Sequence, residues 1–334
     1  MDRIDIDFYK RNGYMIFPEM IQIEVTLRCP FNCSQCYKKN IENKDMDFEY
    51  LNNLINLIIK KKVKLVTLNG GEPLLYPDIV YALEKLGKSG IKTNIFSSGV
   101  GLNDKIINLL SDYKNIYYFI SLNGSNKRIN DKSREGYEVS MGAIKKLYNE
   151  GVIFGINWVA RHDNVLDFPN ILKLCSKYNI SFLSVTGNKL TGNNIIESEV
   201  TKKDIERLAF FINNRKQKDT AILIESCFSI LTTLIDGNKN GFAAHCYAGI
   251  SNCTVNCDKT FQPCTHLKVK EEYNDLETYW NSSPYLKKLR LYPPTILEPC
   301  NTCRNSKICS LCRAMSLETY NDAKKGRSSC IGYL

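Results

Sequence analysis

Ile21-Gln22-Ile23-Glu24-Val25-Thr26-Leu27-Arg28-Cys29-Pro30-Phe31-Asn32-Cys33-Ser34-Gln35-Cys36-Tyr37 carries a β-type run straight into three cysteines with the spacing C-x3-C-x2-C. Three thiolates on one short loop can each ligate one iron of a cubane cluster and leave the fourth iron without a protein ligand. An open position of that kind separates catalytic from structural metal sites. With 14 Cys in 334 residues, a triad of this spacing is expected by chance roughly 0.02 times. Zinc is the reading that spacing alone leaves open.

Outward from this loop, residues 21 to 190 alternate short β-type runs with amphipathic helical stretches, the pattern of βα units around a parallel sheet. The strand candidates are Ile21–Thr26, Lys64–Leu68, Ile91–Phe96, Ile116–Ser121, Val152–Val159 and Ser181–Val185. Between them Leu51, Leu54, Ile55, Ile58 and Ile59 follow helical spacing, and Ile79, Leu83 and Leu86 do so again. Six units are too few for a closed eight-stranded barrel, so the expected fold is α/β, a partial (β/α)6 TIM-like barrel. Its site should lie where the strands run into loops at their C-terminal ends. The second strand ends in Asn69-Gly70-Gly71-Glu72-Pro73. There the glycines would let backbone carbonyls approach a ligand, and the proline stiffens the exit.

After Leu190 the pattern changes, through a Thr191-Gly192-Asn193-Asn194 loop and one amphipathic helix with Ile205, Leu208, Ala209 and Ile212. Beyond Ser226 the chain becomes Cys-rich, as expected when metal clusters replace part of a hydrophobic core. The expected organisation is an extension over 1–20, the barrel over 21–225 and a small Cys-rich iron–sulfur domain over 226–334. The 43% apolar content can fill a substantial core. The N-terminal residues show no signal-peptide pattern and no stretch reaches membrane-span length, so a soluble cytoplasmic protein is expected. In a reducing compartment 14 Cys argue for metal ligation and against disulfides. The net charge of +10 is spread among Asp and Glu, with runs such as Lys60-Lys61-Lys62 at helix ends. Neither a nucleic-acid nor a membrane partner is expected.

The cysteine loop with an aromatic, Tyr37, after its last Cys, followed by Gly70-Gly71-Glu72-Pro73 at the end of the second strand, resembles the radical S-adenosylmethionine (SAM) superfamily. The resemblance implies a [4Fe–4S] cluster on Cys29, Cys33 and Cys36, with SAM bound to its open iron and its amino group met by residues 70–73. It carries over further residues one at a time. Ser97 and Ser98, at the end of the third strand, stand where relatives often have residues near the ribose. Ser121-Leu122-Asn123-Gly124 is similar to the Ser-Leu-Asp-Gly of peptide-modifying relatives; Asn123 removes a charge there and with it the basis for an acid–base role. Asn130-Asp131-Lys132-Ser133-Arg134 resembles that group's His-Asp-x-x-Arg, and Arg134 is the candidate for pairing with the SAM carboxylate, which a guanidinium can bind bidentately. Asn157 is a candidate for the ribose or adenine, or else an outward-facing strand residue.

Cys300-x2-Cys303-x5-Cys309-x2-Cys312, with Cys330 further on, resembles the SPASM extension of radical SAM enzymes that modify peptides, with one gap a residue shorter than usual. The resemblance implies two auxiliary [4Fe–4S] clusters. Cys246, Cys264 and Cys312, with Cys253 or Cys257, would hold one; Cys300, Cys303, Cys309 and Cys330 would hold the other. Lys259 stands where that pattern has Gly. Zinc is the competing reading for a C-x2-C pair. Of the remaining cysteines, Cys175 reads as a buried core thiol. Cys227 reads as a hydrogen-atom donor, a cluster ligand or an ordinary buried thiol. His162, His245 and His266 form no evident catalytic constellation, although His245 and His266 flank cluster cysteines.

The implied activity is reductive cleavage of SAM to a 5′-deoxyadenosyl radical that takes hydrogen from the substrate. The leading substrate class is a ribosomally made peptide, receiving a thioether, carbon–carbon or cyclophane crosslink or an epimerised centre. Because residues 1–20 are too short for a peptide-recognition domain, a separate recognition protein would supply one. An electron donor such as flavodoxin or ferredoxin is a further expected partner. The competing functions are an aminosugar or aminocyclitol dehydrogenase or epimerase, a sulfatase-maturing enzyme, and a non-enzymatic zinc- or nucleic-acid-binding protein.

Overall fold

A computed structural model describes residues 3–38, 43–189, 198–216, 218–235, 246–291, 302 and 312–320. The elements run α1 (Arg3–Asn12), β1 (Met20–Thr26), α2 (Phe48–Lys60), β2 (Leu65–Gly70), α3 (Ile79–Ser89), β3 (Lys92–Ser97), α4 (Asp104–Asp112) and β4 (Ile116–Ser121). They continue as α5 (Lys127–Asn130), α6 (Tyr137–Asn149), β5 (Gly155–Ala160), α7 (Phe168–Lys177), β6 (Phe182–Gly187), α8 (Lys202–Asn213) and β7 (Ala221–Ile224). The last are β8 (Asn252–Val255), β9 (Phe261–Gln262), α9 (Leu276–Ser282), α10 (Pro284–Leu291) and α11 (Arg313–Tyr320). The expected alternation of parallel strands and helices is borne out.

The chain divides into two compact units, one of residues 1–30, 40–119 and 247–292, the other of 31–39, 120–246 and 293–334. In the first, the strand order is β9-β8-β1-β2-β3, parallel except for β9. The register places Ile21, Ile23, Val66, Leu68, Thr93 and Ile95 on one face, all buried. Leu51, Leu54, Ile55 and Ile58 form the buried stripe of α2 at helical spacing. That helix starts where the Asp47 carboxylate accepts the Tyr50 N–H at 2.9 Å, and α3 stops at Gly90, whose φ of 73° is the left-handed conformation glycine adopts without strain. The opposite strand face is polar. Thr254, Gln22, Thr67 and Asn94 lie in one row across β8, β1, β2 and β3, and Glu24 pairs with Asn69 in the next row.

Two findings differ from the expected organisation. β8 pairs with β1, and residues 247–292 belong with the first strands, whereas the sequence places everything past 226 in a separate domain. The tie is physical: Trp280 Nε1 donates to Met15 O at 2.8 Å, and the Arg290 guanidinium lies 3.9 Å from the Tyr14 ring centroid and 4.4 Å from that of Trp280. In addition, β7 extends the strand set of the second unit, whose order is β5-β6-β7, all parallel. Four residues, Ala221–Ile224, form this strand, a β-type run outside the six strands expected for the barrel.

In the second unit, α8 begins with a capping box. Thr201 Oγ1 accepts the Asp204 N–H at 3.3 Å, and Asp204 Oδ2 accepts the Thr201 N–H at 2.9 Å. His162 Nδ1 lies 2.7 Å from the same carboxylate oxygen. Burial raises the Asp204 carboxyl, but the hydrogen bonds from His162 and Thr201 outweigh it and leave it below the usual carboxylate range. A depressed carboxyl stabilises the fold above its unfolded pKa and loses that contribution as pH falls through the folded value. Asp204→Asn is therefore expected to cost about 1 kcal/mol near neutrality, the scale of a lost cap. It should also flatten the loss of stability between neutral and acidic pH in urea titrations; an unchanged slope would refute the assignment.

Candidate cluster and cofactor site

Cys29 follows the end of β1 in the first unit; Cys33 and Cys36 lie in the second. All ten cysteines among the described residues are free thiols. Cys33 is buried, while Cys29 and Cys36 are half-buried. The loop over 31–36 is moulded onto residues 132–136. Asn32 N–H donates to the Glu135 carboxylate at 3.0 Å, Ser34 Oγ to Lys132 O at 3.1 Å and Gln35 N–H to Ser133 O at 3.2 Å. The Glu135 N–H points at Cys33 Sγ at 3.4 Å. Gly136, at φ 82°, leaves room for the Phe31 ring, which a Cβ would meet at 2.3 Å.

Burial pushes the Cys36 thiol up, the Lys38 backbone N–H pulls it down, Cys33 pushes it up again and the Arg134 guanidinium draws it down. Arg134 Nε is buried and makes no hydrogen bond. A cation with a shielded, unpartnered donor beside a thiol fits an anionic group brought by a ligand. Among the described residues no three His, Cys, Asp or Glu side chains converge to hold a single metal ion. Three thiols that each bind a different iron of a larger cluster have no need to converge on one point, so the donor set fits a cubane.

Gly70 and Gly71 pack against Thr26 and Arg28 at the exit of β1. A Cβ at Gly70 would fall 2.3 Å from Thr26 O, and one at Gly71 2.3 Å from Arg28 O. Gly71 N–H donates to Thr26 O at 2.8 Å and Glu72 N–H to Arg28 O at 2.7 Å. The glycines thus allow the end of β2 to lie against the segment that delivers Cys29. Their backbone meets the protein's own backbone there.

Glu72, Ser97 and Ser98, the next residues of the expected cofactor site, engage one another through their side chains. Buried Glu72 accepts from Leu74 N–H at 3.2 Å, Ser97 Oγ at 2.7 Å, Ser98 N–H at 2.7 Å and Ser98 Oγ at 2.5 Å. Burial raises the Glu72 carboxyl, opposed by those hydrogen bonds from Ser98, Ser97 and Leu74. A buried carboxylate needs such donors, and the serines supply them. Pro73 begins a 3₁₀ turn over Pro73–Leu75.

The buried Asn123 side chain is used by Gln35, Ser133 and Val159. Ser121 is buried at the end of β4. Asn157 shares the less buried face of β5 with Val159 and is in register with Ser184 of β6, opposite the buried face of Ile156, Trp158 and Ala160. Tyr37 is half-buried, with Lys38 Nζ 5.7 Å from its ring centroid.

Of the other cysteines, Cys175 is buried as expected and its thiol is pushed up to about 12 by that burial. Cys253 lies within β8, fully buried, in register with Ile21, and burial drives its thiol far up. Cys257, past the strand end, points its thiol at Glu24 Oε1 at 3.5 Å. Cys246 and Cys264 are half-buried and Cys312 is buried. Burial raises the Cys227 thiol, the Lys189 ammonium draws it down, and Cys312 pushes it up again. Cys300, Cys303, Cys309, Cys330 and His245 lie outside the described residues. Gln35, Asn130, Ser133 and Glu135 are the residues that sequence reasoning missed. They hold the cysteine loop, but neutral side chains and one exposed acid in short loops carry no signal of contacts some hundred positions away.

No helix among the described residues is long and apolar enough to cross a membrane. The sequence matches the radical SAM superfamily over residues 23–175. An AdoMet-dependent heme synthase of Methanosarcina barkeri is 22% identical, the alignment covering 94% of this chain and 96% of that protein. The fold is similar to that of Streptococcus suis SuiB bound to precursor peptide SuiA, at a TM-score of 0.80, 22% identity and coverage of 98% of this chain and 79% of that one. It is also similar to anSMEcpe with bound AdoMet, at 0.73, 16% identity and coverage of 94% and 91%. The C-x3-C-x2-C loop on a β1 exit, the parallel βα fold and the superfamily match agree on this stretch: residues 23–175 form a radical SAM domain.

Proposed function

We propose that the enzyme modifies a ribosomally made peptide by abstracting hydrogen from it. The observation that carries this reading is the polar strand face of Thr254, Gln22, Thr67, Asn94, Glu24 and Asn69. Packed barrels fill their interior with branched apolar side chains. Here hydroxyls, amides and a carboxylate line the strands, and Asn69 Oδ1 is shielded without a hydrogen-bond partner. Such a face suits a substrate rich in N–H and C=O groups. The likeness to a fold that holds a precursor peptide supports it. A heme-type substrate, suggested by the name of the M. barkeri relative, would bring carboxylates and a broad apolar ring against buried Glu24, which like-charge repulsion and desolvation disfavour.

In this reading Cys29, Cys33 and Cys36 hold a [4Fe–4S] cluster and Arg134 receives the SAM carboxylate. Asn157 serves the ribose or adenine, and the barrel excludes water from the reacting groups. The bound cluster and SAM supply the one-electron cleavage that makes a hydrogen-abstracting species. Two auxiliary clusters complete the set. Cys300, Cys303, Cys309 and Cys330 hold one, and Cys246, Cys264 and Cys312 belong to the other. Cys257 is the fourth ligand we choose, because the Cys253 thiol is enclosed within β8. Ferredoxin or flavodoxin supplies the electron.

The test is anaerobic incubation of the reconstituted enzyme with reductant, SAM and synthetic peptides encoded beside its gene, read by mass spectrometry. A peptide that loses hydrogen in step with 5′-deoxyadenosine formation is the expected result. SAM cleavage that responds only to a porphyrin or an aminosugar would overturn the peptide assignment.

A further inference from the structure

We propose that Asn123 is a positioning residue for the cysteine loop, acting through side-chain hydrogen bonds to Gln35 and Ser133. Asn123 is fully buried just past β4. Its Nδ2 donates to Gln35 Oε1 at 2.6 Å and to Ser133 Oγ at 2.8 Å, and its Oδ1 accepts the Val159 N–H at 3.2 Å. Its backbone N–H donates to Asn130 Oδ1 at 2.9 Å, and its carbonyl accepts from Trp158 Nε1 at 3.2 Å and Asn164 Nδ2 at 3.0 Å. Every polar atom of the residue is used, and none of its partners titrates.

What these partners hold gives the network its role. Gln35 is one of the two residues between Cys33 and Cys36, and its N–H donates to Ser133 O at 3.2 Å. Asn130 Nδ2 donates to the Arg134 carbonyl at 2.8 Å, which ties the segment carrying Arg134 into the same network. One buried amide therefore fixes the Cys33–Cys36 turn and the segment carrying Arg134 to the ends of β4 and β5. A misplacement of roughly 1 Å near a reacting centre can cost about 100-fold in rate, so a thiol-bearing loop outside any regular element needs such a tie.

The network has a testable asymmetry. The Gln35 amide can turn end for end and the Ser133 hydroxyl can rotate, so both can change from acceptor to donor. A carboxylate at position 123 would accept from Gln35, Ser133 and Val159 and keep the geometry. A leucine of similar size would remove the hydrogen bonds to all three, at about 1–3 kcal/mol for each buried group left unsatisfied.

The proposal rests on the cluster assignment of Cys29, Cys33 and Cys36, and the experiment separates the two. Asn123→Leu, Asn123→Asp and Gln35→Met are reconstituted anaerobically beside the unchanged protein. Iron, the circular-dichroism melt of the cluster-free form, the change in electron paramagnetic resonance on adding SAM, and SAM cleavage are measured for each. Asn123→Leu and Gln35→Met are expected to fold and hold iron, to lose the SAM-induced spectral change, and to cleave SAM about 10–100-fold more slowly, the usual cost of losing support behind a metal ligand. Asn123→Asp is expected to recover the spectral change, with cleavage within about fivefold of the unchanged protein. Gln35 lies in the loop, outside the strands, so Gln35→Met decides the matter if Asn123→Leu fails to fold. Normal spectra and cleavage in Gln35→Met, or Asp behaving like Leu, would overturn the proposal. Absence of iron from the unchanged protein would overturn the cluster assignment, and this inference with it.

Discussion

On the proposed cluster assignment, changing Cys29, Cys33 and Cys36 together to alanine is expected to abolish SAM cleavage, a loss of at least roughly a thousandfold, or about 4 kcal/mol of transition-state stabilisation. The protein's side chains orient and shield, while the cofactor carries the bond-breaking, so nothing in the fold substitutes for the cluster. The loop tolerates the change structurally. Its backbone is held by Ser133 O and by the Glu135 side chain, and of its thiols only Cys33 is buried. The triple variant should therefore melt close to the unchanged apoprotein. It should keep the iron bound by the later cysteines and lose only the SAM-responsive signal. Retained cleavage, measured as 5′-deoxyadenosine under reducing conditions, would remove the triad from the mechanism.

Gly71→Ala is the second large effect, and it arises from packing. The new methyl would sit 2.3 Å from Arg28 O and 2.7 Å from Leu27 O, both backbone atoms that no rotamer change can move aside. Either the end of β2 withdraws, breaking the hydrogen bonds from Gly71 to Thr26 and from Glu72 to Arg28, or the segment leading to Cys29 shifts. The expected cost in urea titration is at the upper end of the roughly 1–3 kcal/mol of an overpacked core, with SAM cleavage falling about 100-fold from misplacement near the reacting centre. A variant with unchanged stability and activity would show that the two strand ends are not held together.

The strands were largely legible because their buried faces alternate with regular spacing, as in Ile21, Ile23 and Val25 of β1. Val152–Phe154 misled: they are apolar and adjoin a strand, but the Val152 N–H still closes onto Leu147 O at the end of α6, and β5 starts only at Gly155. β8 was hidden because Asn-Cys-Thr-Val has no apolar run and takes its partner, β1, from the other end of the chain. In the site, motifs located the cysteine loop and Gly70-Gly71-Glu72-Pro73 but not their directions. Sequence marks Glu72 as a site residue, while the hydrogen bonds it receives from Ser97 and Ser98 depend on the folded chain. Asn123 shows the same limit. Its missing charge was legible, while the Gln35 and Ser133 contacts that use its amide depend on the folded chain.

The most direct test of the central claim is iron and acid-labile sulfide per chain after anaerobic purification, together with 5′-deoxyadenosine formed on reduction with SAM. About twelve irons with matching sulfide and SAM cleavage are the predicted result, four for each of three cubanes. Zinc in place of iron, or no 5′-deoxyadenosine from an iron-replete protein, would contradict it.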